Sequence, residues 1–487
     1  MMHFHTRVFN GKLVVRLLGV MLMVMACFMA LPAALSVYYD DGAQWGFMTS
    51  IVIVFFLGLF FRNIVGRLPN YDFHEKESFW ITSVVWIVVP AVCSLPYMLT
   101  GTMQNPVDAL FESFSGFTST GSTVITNFDH VPKSVFVWRS LTQWIGGLGF
   151  MLLSIAFIEK LRVGTPHLYT AEFSGTVQEK IHPRTSTTVK RMWYVYMFFT
   201  VVFLVVLLFL GNTFDDALCL SLSTVSTGGF SPRAGSIDSF GASTQLAIIV
   251  FMFLAGINIS LLYYLLLRKP TRVWRSEEFR TYLIIIVVGA VLLSIVLAGQ
   301  GVKIMNATSY SFFQVVSTVS TTGFHVSMPN GWTKVVPVFL FLLMFIGACS
   351  GSSGGGIKVA RVMILFKYVR NQFVVMLHPR AVAPVKVDNK VIQVSYINKI
   401  FAFVFMYFVF IVLGAFVLMC CGMGLSDSLS VASANISNIG PVIETMGGDW
   451  SYAHLPLAAK FTIMIEMLLG RLEIFALMAI FSPSYWR

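Results

Sequence analysis

DALFESFSGFTSTG (108–121), DALCLSLSTVSTGG (216–229), YSFFQVVSTVSTTG (310–323) and DSLSVASANISNIG (427–440) align without a gap. Each closes on a glycine, at Gly121, Gly229, Gly323 and Gly440, and each carries a hydroxyl three residues earlier, at Thr118, Ser226, Ser320 and Ser437. Asp108, Asp216 and Asp427 stand thirteen residues before their glycines, and Tyr310 holds that place in the third run. The final residues of each run, Ser119 and Thr120, Thr227 and Gly228, Thr321 and Thr322, Asn438 and Ile439, contain no carboxylate and no nucleophile set against a base. What they offer is bare peptide. Small side chains let the backbone stay extended, and glycine tolerates angles that other residues resist. Four such runs around one axis would form a ring of carbonyl oxygens able to replace the water shell of a permeating cation. Hard divalent ions are usually held by Asp or Glu oxygens, so neutral carbonyls suit a monovalent ion, potassium before sodium. The four hydroxyls fit either a lower ligand layer or bonds to neighbouring backbone.

Extended backbone at membrane depth survives only where it is buried in protein or lines water, so the elements around the runs matter. The chain has 487 residues, 56% hydrophobic and 11% charged, with a mean hydropathy of +0.78. A soluble domain holds roughly 25% charged residues. The composition is that of an integral membrane protein. Apolar segments near 13–36, 46–61, 78–100, 136–158, 192–211, 245–267, 281–298, 335–369, 399–421 and 459–481 are each long enough to cross as a helix. Basic residues crowd alternate connections: Arg62 and Arg67; Lys160, Arg162, Lys180, Arg184, Lys190 and Arg191; Arg268, Lys269, Arg272 and Arg275; Lys367, Arg370, Arg380, Lys386, Lys390 and Lys399. With Arg7, Lys12 and Arg16 at the start, they place both termini in the cytoplasm. The run from Leu13 to Leu35 reads as a retained helix rather than a cleaved leader. The four runs all fall between helices on the opposite side. The expected fold is therefore all-α: an N-terminal helix pair (1–70) and four repeats of helix, pore loop and helix (71–165, 166–275, 276–385, 386–487) around one pore with pseudo-four-fold symmetry. A segment such as DALFESFS should begin as a short helix with Asp108 accepting from the first turn's free N–H groups.

GACSGSSGGGIK (347–358) interrupts the second helix of the third repeat. Its lysine and following residues do not fit a phosphate-binding loop. Glycine costs a helix ~1 kcal/mol relative to alanine, so Gly347, Gly351, Gly354, Gly355 and Gly356 should unwind it. A loop across the pore beneath the carbonyl ring would act as a gate; close helix packing through small residues is the other reading. Lys358 would then pair with an acid near the cytoplasmic side. Arg471 in GRLEIF is either a barrier facing the pore or one half of an ion pair with Glu466 or Glu473. Glu112 and Glu444 read as structural hydrogen-bonding groups. The six cysteines show no CxxC spacing and read as buried thiols. Paired intramembrane carboxylates, HExxH and GxSxG are absent, which argues against an enzyme, and the common orientation of the repeats argues against an inverted-repeat carrier.

The four-repeat pattern, the single glycine closing each run, the phrases STGGF and TTGF, and GRLEIF resemble the TrkH/KtrB family of potassium transporters. The extra N-terminal helix pair is similar to its TrkH branch. That resemblance implies potassium uptake across a bacterial inner membrane, with backbone around residues 118–121, 226–229, 320–323 and 437–440 coordinating the ion. It implies that the 347–358 loop and Arg471 gate the path. It also implies a homodimer and a cytosolic TrkA-type regulatory ring that binds nucleotides, with no organic cofactor and no nucleic acid. A sodium- or proton-coupled symporter of weak potassium preference is the alternative.

Overall fold

The structure is a computed structural model, described over residues 11–65, 75–149, 185–326, 335–440 and 452–481. Two antiparallel helices, α1 (Gly11–Tyr39) and α2 (Gln44–Ile64), form the N-terminal pair. Their turn uses left-handed backbone at Asp40 and Gly42, and Asp41 accepts the Ala43 N–H at 3.2 Å to start α2. The pair closes through bare backbone: a Cβ on Gly58 would meet the Gly19 carbonyl and Met23. Gly58→Ile should therefore force the hairpin apart at a cost of about 1–3 kcal/mol, read as a lower thermal unfolding midpoint in detergent.

The remaining helices are α3 (Glu75–Val92), α4 (Leu95–Leu99), α5 (Pro106–Phe117), α6 (Lys133–Trp144), α7 (Thr185–Phe209), α8 (Phe214–Val225), α9 (Ala242–Ala255) and α10 (Ile259–Leu266). They continue as α11 (Pro270–Arg275), α12 (Glu277–Gly299), α13 (Ile304–Val319), α14 (Val335–Met344), α15 (Val359–Leu377), α16 (Val394–Cys420), α17 (Leu425–Ile436), α18 (Leu457–Arg471) and α19 (Phe475–Phe481). A two-stranded hairpin, Lys386–Val387 with Lys390–Val391, packs through Val385, Val387 and Ile392 against Met363 and Ile364 of α15.

Length sorts these helices by role. Among the described residues six are long and apolar enough to cross a bilayer, α1, α2, Trp80–Leu99, Val189–Phe209, α12 and α16, or seven if the bent pair α9 and α10 counts as one span. Helices α5, α8 and α17 have 12 residues each, roughly 18 Å at 1.5 Å per residue, too short for a ~30 Å hydrocarbon core. The helices that follow the four glycine-closed runs are broken. Helix α6 passes into π-helix at Ile145–Gly149, α9 and α10 meet at 109°, α14 and α15 are parted by the 345–358 stretch, and α18 ends before left-handed Glu473 and Ile474. Glycines cut the breaks for a reason. A Cβ on Gly146 would strike the Phe117 carbonyl, and one on Gly470 the Ile436 carbonyl, which are the last residues of α5 and α17. Helices α5 and α17 thus each end in a notch made by a missing side chain.

Candidate ion pathway

The four runs share one backbone. Helices α5, α8, α13 and α17 end at Phe117, Val225, Val319 and Ile436, and the next residue, Thr118, Ser226, Ser320 or Ser437, is the C-cap. Ser119, Thr227, Thr321 and Asn438 follow with φ of 55°, 54°, 59° and 53°. Thr120, Gly228, Thr322 and Ile439 then donate back to Ser115, Ser223, Ser317 and Ala434. That six-to-one bond, with a left-handed residue before it, is a Schellman cap. The runs are therefore not extended as the sequence reading expected: they turn sharply at the second residue and again at Gly121, Gly229, Gly323 and Gly440, whose φ lies between 83° and 86° apart from 80° at Gly229. Left-handed backbone at serine and threonine is strained, and such strain collects at functional sites.

The helix starts also differ from expectation. Asn105 caps α5 by accepting the Val107 N–H at 3.0 Å, and Thr213 caps α8. The aspartates lie inside the first turn, where they meet cations instead: Asp108 takes Lys460 at 2.5 Å and Asp216 takes Arg233 at 2.5 Å.

Three of the closing glycines interlock neighbouring runs. A Cβ on Gly121 would collide with the Gly228 carbonyl, one on Gly229 with the Thr322 carbonyl, and one on Gly440 with the Thr120 carbonyl. Run one therefore abuts run two, run two abuts run three, and run four abuts run one. All of these residues are buried. Among the described residues, no donor meets the backbone carbonyls of 118–121, 320–323 or 437–440, nor those of Thr227 and Gly229. Buried carbonyls are almost always paired, because leaving one unmet costs about as much as a lost hydrogen bond. A concentration of unmet peptide oxygens is an electronegative lining that a desolvated cation satisfies.

The hydroxyls are spent locally. Thr118 Oγ1 donates to the Phe114 carbonyl at 2.7 Å, Ser226 Oγ to Leu222 at 2.8 Å, and Ser320 Oγ to Ser317 at 3.3 Å. Ser437 Oγ lies 2.6 Å from Tyr407 Oη. They brace the caps.

The stretch at 347–358 is an irregular loop tucked under three of the runs. Gly355 N–H donates to Thr321 Oγ1 at 2.8 Å, Thr227 Oγ1 donates to Ser353 Oγ at 3.3 Å, and a Cβ on Gly355 would strike the Ser437 carbonyl. Gly347, Gly351 and Gly356 take left-handed backbone, at φ of 73°, 74° and 73°; Gly354 lies against the Ser320 carbonyl and Thr321. Arg471 reaches this loop. Its guanidinium donates to the carbonyls of Ser353 at 2.8 Å and Gly146 at 2.6 Å, and to Gly147, so it ties α18, the loop and the π-helical turn together. Lys358 pairs with Glu473 at 3.0 Å, and Arg361 bonds the same carboxylate.

Sequence reading passed over Arg139, whose position inside the apolar segment near 136–158 was the available signal. Its Nε meets Glu112 Oε1 at 2.7 Å, with both side chains buried. Glu112 also accepts from Thr123 Oγ1 and the Val124 N–H, just past Gly121, so it holds the exit of the first run. Glu112→Ala would strand the guanidinium, and a broken buried pair costs roughly 3–5 kcal/mol. Unfolding midpoints of the detergent-purified variant should fall accordingly, with Glu112→Gln falling less. Glu444 and the basic residues Lys160, Arg162, Lys180 and Arg184 lie outside the described residues.

Half-helices that end inside the protein, glycine-cut partners and a lining of unmet carbonyls define a helical multi-pass membrane protein built around polar backbone. The chain belongs to the TrkH family of cation transport proteins, whose family model matches residues 51–487. It is 32% identical over 482 residues to the Trk system potassium uptake protein TrkH of Halomonas elongata, covering 98% of this chain and 99% of that one. With TrkH of Salmonella typhimurium it shares 31% over 484 residues, 98% and 99% of the two chains. The crystal structure of the potassium transporter TrkH from Vibrio parahaemolyticus superposes with a TM-score of 0.89 at 29% identity, over 98% of this chain and 100% of the other.

Proposed function

We propose that the protein carries potassium into the cell across a bacterial inner membrane, through a filter of backbone carbonyls drawn from residues 118–121, 226–229, 320–323 and 437–440. The buried carbonyls of these runs, donor-free except at Ser226 and Gly228, support the reading. Neutral oxygens strip water from a weakly hydrated ion without holding it as carboxylates would. The four runs close repeats 71–165, 166–275, 276–385 and 386–487 around one axis, and ten segments cross the membrane with both termini cytoplasmic. The 347–358 loop and Arg471 gate the path from below. Opening requires the loop to leave Thr321, Thr227 and Arg471. Glu473, through Lys358 and Arg361, links the loop's end to α15 and hence to the basic face at Lys367, Arg370, Arg380, Lys386 and Lys390. That face suits a cytosolic regulatory ring of the TrkA type, and the membrane subunit works as a homodimer.

The test is rubidium uptake into vesicles of purified protein under an inward-negative potential. The reading predicts uptake that external potassium suppresses at much lower concentration than sodium. Absence of flux from folded protein under every ionic condition would overturn it.

A further inference from the structure

The second run differs from the others at one place. Where the first, third and fourth carry Thr120, Thr322 and Ile439, it carries Gly228. Thr120 and Thr322 bond the hydroxyls of Thr118 and Ser320, both at 2.7 Å. At Gly228 the space that a side chain would fill is taken by Gln143, a fully buried residue of α6. Gln143 Nε2 donates to the Gly228 carbonyl at 2.6 Å, while its Oε1 accepts from Ser223 Oγ at 2.7 Å and from the Phe230 N–H at 3.2 Å. The amide has one orientation: a backbone N–H only donates and a carbonyl only accepts, so a flipped Gln143 would lose both. One turn earlier on α6, Arg139 donates to the Ser231 carbonyl at 3.4 Å and lies 4.1 Å over the Phe230 ring. A helix of the first repeat thus grips the second run from behind at residues 228, 230 and 231. The Thr120 and Thr322 carbonyls stand at the same register, against Gly440 and Gly229, and among the described residues they receive no donor.

We propose that Gln143 is a positioning residue that sets the cation preference of the pathway by pinning the Gly228 carbonyl. The proposal rests on the filter reading above. A carbonyl shared with an amide donor cannot swing inward to follow a smaller ion. Sodium needs that inward movement to replace its tighter water shell, whereas potassium does not. Pinning one of four quadrants therefore penalises sodium, and the penalty disappears when the donor is removed.

Rubidium uptake into vesicles of the full-length protein, competed by potassium and by sodium, reads the preference as the ratio of the two half-inhibitory concentrations. Gln143→Met keeps the length of the side chain and removes both donor and acceptor. Ser223→Ala keeps the backbone of the run and removes only one bond that orients the amide. The proposal expects the ratio to fall by about threefold or more in Gln143→Met, with a smaller fall in the same direction in Ser223→Ala. If Gln143→Met gives no folded protein, Gln143→Leu, which neither donates nor accepts and adds no charge, replaces it under the same criterion. A change smaller than this in the position-143 variant, while Gly440→Ala loses discrimination, would overturn the role of Gln143 and leave the filter standing. Discrimination unchanged in Gly440→Ala would overturn the filter reading itself. A purely structural role for Gln143 would lower the amount of folded protein without moving the ratio.

Discussion

Gly229→Ala should reduce potassium uptake by about tenfold or more and erase most discrimination against sodium. Two costs combine. Residue 229 holds φ at 80°, where a Cβ costs roughly 1–2 kcal/mol, and that Cβ would strike the Thr322 carbonyl of the neighbouring run. Backbone cannot yield there without moving a proposed ion ligand. Gly211 supplies the control: its φ is 84° and nothing lies near its would-be Cβ. Gly211→Ala carries the same backbone strain, so its unfolding midpoint should drop slightly while uptake stays at the wild-type level. Equal loss of uptake in both variants would show that strain alone, and not the ring contact, explains the phenotype.

Arg471→Ala is the second large effect. The guanidinium donates to three carbonyls on two separate elements, Ser353 in the loop and Gly146 and Gly147 beside the first run. Bonds from a charged donor are worth about 1.5–3 kcal/mol each. Losing even one such term shifts a loop equilibrium by about tenfold or more. Removing the positive charge also lowers the barrier to a cation beneath the filter. Rubidium flux through the isolated membrane subunit should therefore rise by about tenfold. Arg471→Gln separates the two contributions, since its amide can still hold one carbonyl but repels no cation. Flux through Arg471→Gln that equals the alanine variant assigns the barrier to charge; an intermediate value assigns part of it to the tether. Flux at the wild-type level in both would remove Arg471 from the gate.

Much of this architecture is legible in the sequence because membranes enforce simple rules. Apolar length alone marked the helices long enough to cross whole, and the ungapped alignment of four runs marked the turns after α5, α8, α13 and α17 with their closing glycines. The glycine cluster at 347–358 marked the one long break, since several glycines together cannot hold a helix. What escaped was geometry that depends on a neighbour. Gly146, Gly256 and Gly470 each sit singly or in a pair within apolar runs, and their purpose emerges only against Phe117, Tyr282 and Ile436. The left-handed turn at Ser119, Thr227 and Thr321 is invisible in residue type, because serine and threonine do not favour it; only Asn438 gives a local hint. Asp108 and Asp216 read as helix caps because their obligate partners, Lys460 and Arg233, lie far along the chain or beyond the run. Gln143 is one of several polar residues of α6, and its residue type alone does not single it out. Its meaning depends on Gly228, which the alignment recorded merely as a second glycine.

The central claim is that the carbonyls around Gly121, Gly229, Gly323 and Gly440 hold a dehydrated alkali ion. Anomalous scattering from crystals grown in rubidium tests it without reference to transport rates. The account predicts a peak on the axis enclosed by the four runs, above the loop at 347–358, that weakens when potassium replaces rubidium and is absent from Gly229→Ala crystals. Rubidium bound elsewhere in the molecule, with none between the four runs, would contradict it.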